Sequence, residues 1–403
     1  KQYHDIVVHN IETETTSDFI IRTFQITRAS DGEKRTVKQF HFVAWPDHGV
    51  PTRASPIIAF RRKVRAYDDT FPGTIVVHCS AGVGRTGTFI TLDALLDMAT
   101  EEGVLDVFGW VWNMRRDRVN MIQTVEQYLF VYDALLEALK AGNTAFGCSE
   151  FREKYEEMKK VDPEKGQSKL QQQFQTLAAM SPQVKTDDMK SGLLPENNIK
   201  NRNPDVLPAD RHRPYLMLRV EGTNDYINAV FLDGFRKRNS YIITQMPLPI
   251  TVIDFWRMVY EHGCSSIIML NPMDENDESF GQYWLEDEGC ECGPFIIEPH
   301  STDTTHADVT VREIKLTYEP QTASVLPPTK KEEAPRIITQ FQLNCWPMDE
   351  PVPRSRQAVI QLIDLVERCQ QKTGDGPVII HCRDGVQQSG LYVAVSCIWE
   401  KMK

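Results

Sequence analysis

The sequence predicts an α/β chain with two cores, on three observations: its length, an internal repeat, and a buried apolar run followed by helical spacing in each copy of that repeat. At 403 residues, with 41% apolar and 25% charged residues, the chain is globular in composition and too long for one typical domain. The segment Gln39-Phe40-His41-Phe42, followed by Trp45-Pro46, returns as Gln340-Phe341-Gln342-Leu343, followed by Trp346-Pro347. Ile75-Val76-Val77-His78-Cys79 likewise returns as Val378-Ile379-Ile380-His381-Cys382. The order of elements is the same in both copies.

In each copy the apolar run reads as a buried strand. In the first copy, Phe89, Leu92, Leu95, Leu96 and Ala99 then recur at helical spacing up to Gly103, a plausible stop. Cys79 therefore sits at a strand-to-helix turn. Ala141-Gly142-Asn143-Thr144 reads as a short linker, and Glu150 to Lys160 as the opening helix of a second domain. The expected domains are residues 1–146 and 147–403, with the boundary near Gly147. The copies are complementary in extent: the second has a long stretch, including Lys200 to Phe235, with no counterpart upstream, whereas the first continues past its cysteine through Arg118, Gln123 and Gln127. The expectation is a first domain without its beginning and a second without its end.

Composition excludes some functions. Forty-five basic against 56 acidic residues give a formal charge of −11, which argues against a general nucleic-acid or anionic-membrane binder. A phosphate site must then be locally basic. Nine cysteines without a Cys-x2-Cys pair fit neither a disulfide framework nor a zinc module, so a reducing, cytoplasmic setting is expected. No apolar run approaches the roughly 20 residues of a membrane helix, so no membrane insertion by this stretch is expected.

The segment His78-Cys79-Ser80-Ala81-Gly82-Val83-Gly84-Arg85-Thr86-Gly87 carries the strongest chemical signal. A glycine-rich turn lets successive backbone N–H groups point inward, and the helix starting near Arg85 adds its positive end, so the loop can cradle a tetrahedral anion. Cys79 there is expected to titrate below an ordinary thiol and act as a nucleophile, with Arg85 gripping two phosphate oxygens in a fork and Thr86 hydrogen-bonded to the sulfur. Gly82, Gly84 and Gly87 also match a dinucleotide fingerprint, but an arginine inside the run and a cysteine at the strand end fit a phosphate cradle better. His78 has two readings, tuning the thiolate or filling a buried strand end, and the residues do not choose between them. The general acid must come from a mobile, protonatable group, and Asp47 in Trp45-Pro46-Asp47-His48-Gly49-Val50-Pro51 is the candidate. Thr124 with Gln127 spells a helix capping box, which explains Gln127 structurally, while Gln123 is freer to orient a water.

Together these motifs resemble the cysteine-based protein tyrosine phosphatases, and their tandem arrangement resembles the receptor-type members. Lys200-Asn201-Arg202, Asp225-Tyr226-Ile227-Asn228-Ala229 and Asp254-Phe255-Trp256-Arg257 extend the likeness into the second domain. The resemblance implies two domains, each a twisted mixed sheet flanked by helices, and phosphotyrosine hydrolysis in the first. By position it implies that Cys79 forms a cysteinyl-phosphate, Arg85 holds the equatorial oxygens, and Asp47 serves as acid and then base. Gln123 would position the water with Gln127 in support, and Ser80, Ala81, Gly82, Val83 and Gly84 would line the phosphate. It further implies no metal or organic cofactor, phosphotyrosine proteins as partners, possible protein partners for the second domain, and a place on the cytoplasmic side of the plasma membrane.

The second domain departs from the pattern. Gln388 stands where the gripping arginine belongs, Met348 where the acid belongs, and Asn203 where a substrate-stacking tyrosine usually follows Lys-Asn-Arg. A non-catalytic, regulatory or scaffolding domain is expected, with Cys382 either redox-active or structural. The competing expectation for the whole chain is a phosphotyrosine-binding scaffold without turnover.

Overall fold

A strand of β-branched residues needs hydrogen-bonded neighbours, and the two copies of the apolar run meet that need differently. The computed structural model describes all residues except 72, 182–184, 275, 320–333 and 375. The chain divides into two compact units, Lys1–Pro182 and Gln183–Lys403.

In the first unit, β1 (Gln2–Tyr3), β2 (Ile6–Thr15), β3 (Phe19–Arg28) and β4 (Lys34–Phe42) form an antiparallel sheet in that order. Phe19 and Ile21 on β3 pack with Phe60 and Val64 of α1 (Ser55–Asp68), so one face of the sheet is covered by that helix. A second cluster joins α1 to α2 (Gly84–Glu101), α3 (Val107–Asp117) and α4 (Val125–Ala141) through Ile57, Leu92, Leu95, Val111, Phe130 and Val131. Leu92 and Leu95 are buried at the spacing expected of the helix that follows Cys79. Next, α5 (Phe151–Lys159) and α6 (Lys169–Met180) are joined across a short hairpin, β5 (Val161–Asp162) with β6 (Gln167–Ser168). Because α6 packs on α4, the compact division comes at Pro182, and the boundary expected near Gly147 lies inside the first unit.

The second unit holds α7 (Pro195–Asn198), β7 (Ala229–Leu232), β8 (Tyr241–Gln245), α8 (Val252–Glu261), β9 (Ser266–Met269), β10 (Cys290–Cys292), β11 (Phe295–His306), β12 (Val309–Tyr318), β13 (Arg336–Leu343), α9 (Arg356–Thr373), β14 (Val378–Cys382) and α10 (Gln387–Met402). Among its described residues, eight strands form one mixed sheet in the order β10-β11-β12-β13-β9-β14-β8-β7. Phe255, Trp256 and Met258 of α8 pack one face, and Leu362 and Ile363 of α9 with Tyr392 of α10 pack the other. Fully burying one such aliphatic side chain stabilises by about 1.5–3 kcal/mol. Asp254 is buried between two cations, accepting from Lys200 Nζ and Arg257 Nη1, each at 2.8 Å. Removing one partner of such a pair typically costs about 3–5 kcal/mol, because a charge is left alone in the core.

The two cysteine-bearing runs are not alike. All five residues of β14 are buried, and the strand pairs in parallel with β8 on one edge and β9 on the other. In the first unit the corresponding residues, 75–79, form no strand; Val76 is 82% exposed. The expectation of a buried strand is therefore corrected for the first copy. The physical reason is the absence of partners: the described residues of the first unit contain no counterpart of β8 or β9. For the same reason its described strands are all antiparallel, whereas the second unit shows the mixed sheet. Among the described residues no helix is long and apolar enough to cross a membrane.

Candidate active site

Residues 79–83 run directly into α2, which begins at Gly84. Gly82 has φ +68°, a left-handed conformation that costs glycine little, and it turns the chain so that its N–H faces back across the loop. That N–H donates to Cys79 Sγ at 3.2 Å. Arg118 holds the opposite side, donating from Nε to Gly82 O at 2.9 Å and from Nη2 to Ala81 O at 3.1 Å. With those carbonyls held outward, the N–H groups of the same peptides face the concavity, which is the geometry of an anion nest. Arg118 is the residue that sequence reasoning missed as part of the site. Its place in the cluster Arg115-Arg116-Asp117-Arg118 just before Gln123 was the available signal.

Partial burial pushes the Cys79 thiol up, but hydrogen bonding from Thr86 and from the N–H groups of Thr86, Val83 and Gly82 outweighs it, bringing the pKa down to about 7 from an ordinary 9.0. The Thr86 hydroxyl is buried and bears on the sulfur. It acts on the sulfur as a nearby dipole, and the Gly82 N–H is the direct donor. Alkylation of Cys79 by iodoacetamide, followed residue by residue by mass spectrometry, is therefore expected to rise with pH through a midpoint near 7. A midpoint near 9 would show an ordinary thiol.

Arg85 joins this loop to the candidate acid loop. Its Nη2 donates to Pro46 O at 2.9 Å and lies 3.5 Å from Asp47 O, and its guanidinium stands 5.8 Å from the Trp45 ring centre. Trp45 in turn donates to Gly49 O at 3.1 Å and meets Phe130 of α4 edge-on. The Asp47 side chain is exposed on this loop.

The glutamine segment abuts the loop from the far side. Ile122 has φ +57°, unusual for a β-branched residue, and is only 1% exposed. It is pinned by its N–H to Val83 O at 3.2 Å and by Arg115, which donates to Ile122 O at 2.5 Å and Met121 O at 2.9 Å. A Cβ on Gly87 would lie 2.6 Å from Ile122 N, so glycine is what lets α2 approach this turn. Thr124 caps α4 by accepting from Gln127 N at 3.3 Å, but the Gln127 side chain accepts from Gln123 N at 2.8 Å. The capping box is thus half formed. The Gln127 amide instead lies against the cysteine loop, so close that a Cβ on Gly84 would stand 2.7 Å from its Nε2. Gln123 and Ser80 are exposed at the rim. His78 is exposed as well, so it does not fill a buried strand end.

In the second unit the corresponding groups are sealed in. Cys382 is 1% exposed, and burial pushes its thiol up rather than down. His381 is fully buried, bonded through Nε2 to the Tyr283 hydroxyl at 2.8 Å, and burial together with the Arg202 charge lowers its pKa to about 3. It is neutral and structural. Trp346 repeats the Trp45 bond by donating to Glu350 O at 3.1 Å, so the two loops share a frame, with Met348 at the place of Asp47.

The model of the protein-tyrosine phosphatase family matches residues 1–137 and 197–403. Receptor-type tyrosine-protein phosphatase U of Gallus gallus is 38% identical over 405 aligned residues, covering 100% of this chain and 28% of that protein. Receptor-type tyrosine-protein phosphatase F of Homo sapiens is 36% identical, covering 99% of this chain and 20% of that protein. The chain thus spans under a third of the length of these relatives. Among solved structures, PTPN18 in complex with HER2-pY1196 phosphor-peptides superposes with a TM-score of 0.54 at 30% identity, covering 64% of this chain and 84% of that one. The complex with HER2-pY1248 phosphor-peptides gives 0.51 at 32% identity, covering 58% and 83%.

Proposed function

Since this chain belongs to the protein-tyrosine phosphatase family, we propose that it carries a phosphotyrosine hydrolase whose working site is built around Cys79, with a second, non-catalytic domain that regulates or scaffolds. The observation that carries this reading is the contrast between the two sulfurs: Cys79 is lowered to about 7 beside a donating Gly82 N–H, whereas Cys382 is raised by burial. At neutral pH only the first is substantially a thiolate. The domains are taken as residues 1–146 and 147–403, on the cytoplasmic side of the plasma membrane, acting on phosphotyrosine-containing proteins. The PTPN18 complexes with HER2 phosphopeptides support that substrate class.

In the first step the Cys79 thiolate attacks phosphorus, the bond from phosphorus to the tyrosyl oxygen breaks, and Asp47 gives its proton to the departing oxygen. Loop N–H groups from Ser80 to Gly84 and the Arg85 guanidinium hold the equatorial oxygens. In the second step Asp47, now a carboxylate, takes a proton from a water oriented by Gln123, with Gln127 in support. That water attacks phosphorus and the sulfur–phosphorus bond breaks. The thiolate leaves onto the Gly82 N–H and the Thr86 dipole. Arg118 acts as a positioning residue, holding the loop's carbonyls outward.

One observation favours the alternative, a site that binds phosphotyrosine without turnover: residues 75–79, which bear the cysteine, are unpaired and largely exposed. Asp47→Asn separates the two readings. In a hydrolase the change lowers kcat for a phosphotyrosine peptide by on the order of 10²–10⁴ and removes the fall in rate at high pH that a general acid imposes. Unchanged kcat with this substitution would remove Asp47 from the chemistry.

A further inference from the structure

The two cysteine loops share one backbone fold and hold different contents. Gly82 and Gly385 have φ +68° and +75°, and the valines after them have φ/ψ of −131°/−61° (Val83) and −118°/−75° (Val386), each at the start of a helix. Both loops therefore form the same concavity of inward N–H groups at a helix N-terminus. Between the cysteine and the left-handed glycine, the first loop has Ala81 and the second has Asp384. The alanine methyl offers no acceptor to the first concavity. The Asp384 carboxylate folds into the second, where Oδ1 accepts the Val386 N–H at 3.0 Å and the Cys382 S–H at 3.5 Å. In the second loop the sulfur still receives hydrogen bonding from the N–H groups of Gly385 and Ser389, but it also meets the Asp384 carboxylate, whose charge helps push its thiol up.

The surrounding groups fit a cradle already occupied. Arg383 turns outward to pair with Asp277 at 3.1 Å, so it does not neutralise Asp384. Gln388, at the place of Arg85, is 7% exposed, and its Nε2 has no hydrogen-bond partner among the described residues. A donor is thus left idle beside a loop whose Val386 N–H is already taken.

We propose that Asp384 is the resident anion of the second loop: its carboxylate fills from within the cradle that would otherwise take a phosphate group. The second unit is then closed to oxyanions by two independent changes, the lost arginine and the added aspartate. Restoring the arginine alone leaves an incoming dianion to displace a like charge from the same N–H groups, which costs at least roughly tenfold in affinity. This inference rests on reading both loops as phosphate cradles.

Tungstate, an unreactive tetrahedral dianion, is the probe, with binding read by calorimetry on the whole chain. In an Arg85→Ala background, which silences the first loop, the parent, Gln388→Arg, Asp384→Ala and the Asp384→Ala/Gln388→Arg double variant are compared. The double variant is expected to bind one tungstate, and Gln388→Arg alone to bind at least about tenfold more weakly or not at all. Equal binding by Gln388→Arg and the double variant would overturn the role of Asp384, and so would a double variant that melts cooperatively yet binds nothing. Asp384→Ser replaces Asp384→Ala if the latter loses its cooperative melt. The chain with Arg85 intact is the separate arm for the cradle reading: failure to bind tungstate there counts against the phosphatase assignment itself, whatever the second loop does.

Discussion

Cys79→Ser is expected to reduce hydrolysis of a phosphotyrosine peptide by on the order of 10⁴–10⁶, the scale on which removal of a covalent nucleophile acts. The size follows from what is lost. A thiolate near half-ionised at neutral pH is replaced by a hydroxyl that stays protonated, and the two-step route through a sulfur–phosphorus bond closes. Peptide binding should survive, because Arg85 and the loop N–H groups remain. Cys382→Ser is expected to leave turnover unchanged, since that sulfur is buried and held as a thiol. The measurement is steady-state kcat and KM for both variants; loss of turnover with Cys382→Ser would move the chemistry to the second unit.

The second large effect is expected at Arg85. Arg85→Lys keeps the charge but not the two-pronged donor, and removing an interaction of the oxyanion-stabilising kind lowers kcat by on the order of 10²–10³. A further part of the loss arises outside the phosphate cradle, because Arg85 also ties the cysteine loop to Pro46 O and stands beside Trp45. A lysine cannot serve cradle and loop together. Comparable kcat in Arg85→Lys would show that charge alone suffices, and with it that Gln388 by itself explains the second loop.

The parts of the account that were legible in the sequence are those set by local pattern. The repeat, the strand-to-helix turn of the second copy, the helix after each cysteine and the glycine-rich loop all follow from residue types at short spacing. What escaped depends on partners far along the chain. Residues 75–79 and β14 are almost the same apolar string, yet only β14 is a strand, because β8 and β9 flank it and the first unit has no counterparts among its described residues. Periodicity cannot see a missing neighbour. Gln127 shows a milder case: the capping pattern correctly predicted Thr124, but the glutamine's own oxygen turned to Gln123 N and its amide to Gly84, because the cysteine loop is packed against it. Arg118 escaped for the opposite reason. One arginine among several carries no pattern, and its bonds to the carbonyls of Ala81 and Gly82 cross 37 and 36 residues of chain. Asp384 was visible as a residue, but its effect on the loop lies in a side-chain rotation that only coordinates reveal.

The most direct test of the central claim is to trap the covalent intermediate. The protein is mixed with a ³²P-labelled phosphotyrosine peptide, quenched in acid within the first turnover, digested, and the labelled fragment sequenced. Phosphate on the sulfur of Cys79, and none on Cys382, is the expected result. Turnover without any labelled cysteine, or label on Cys382, would contradict the account.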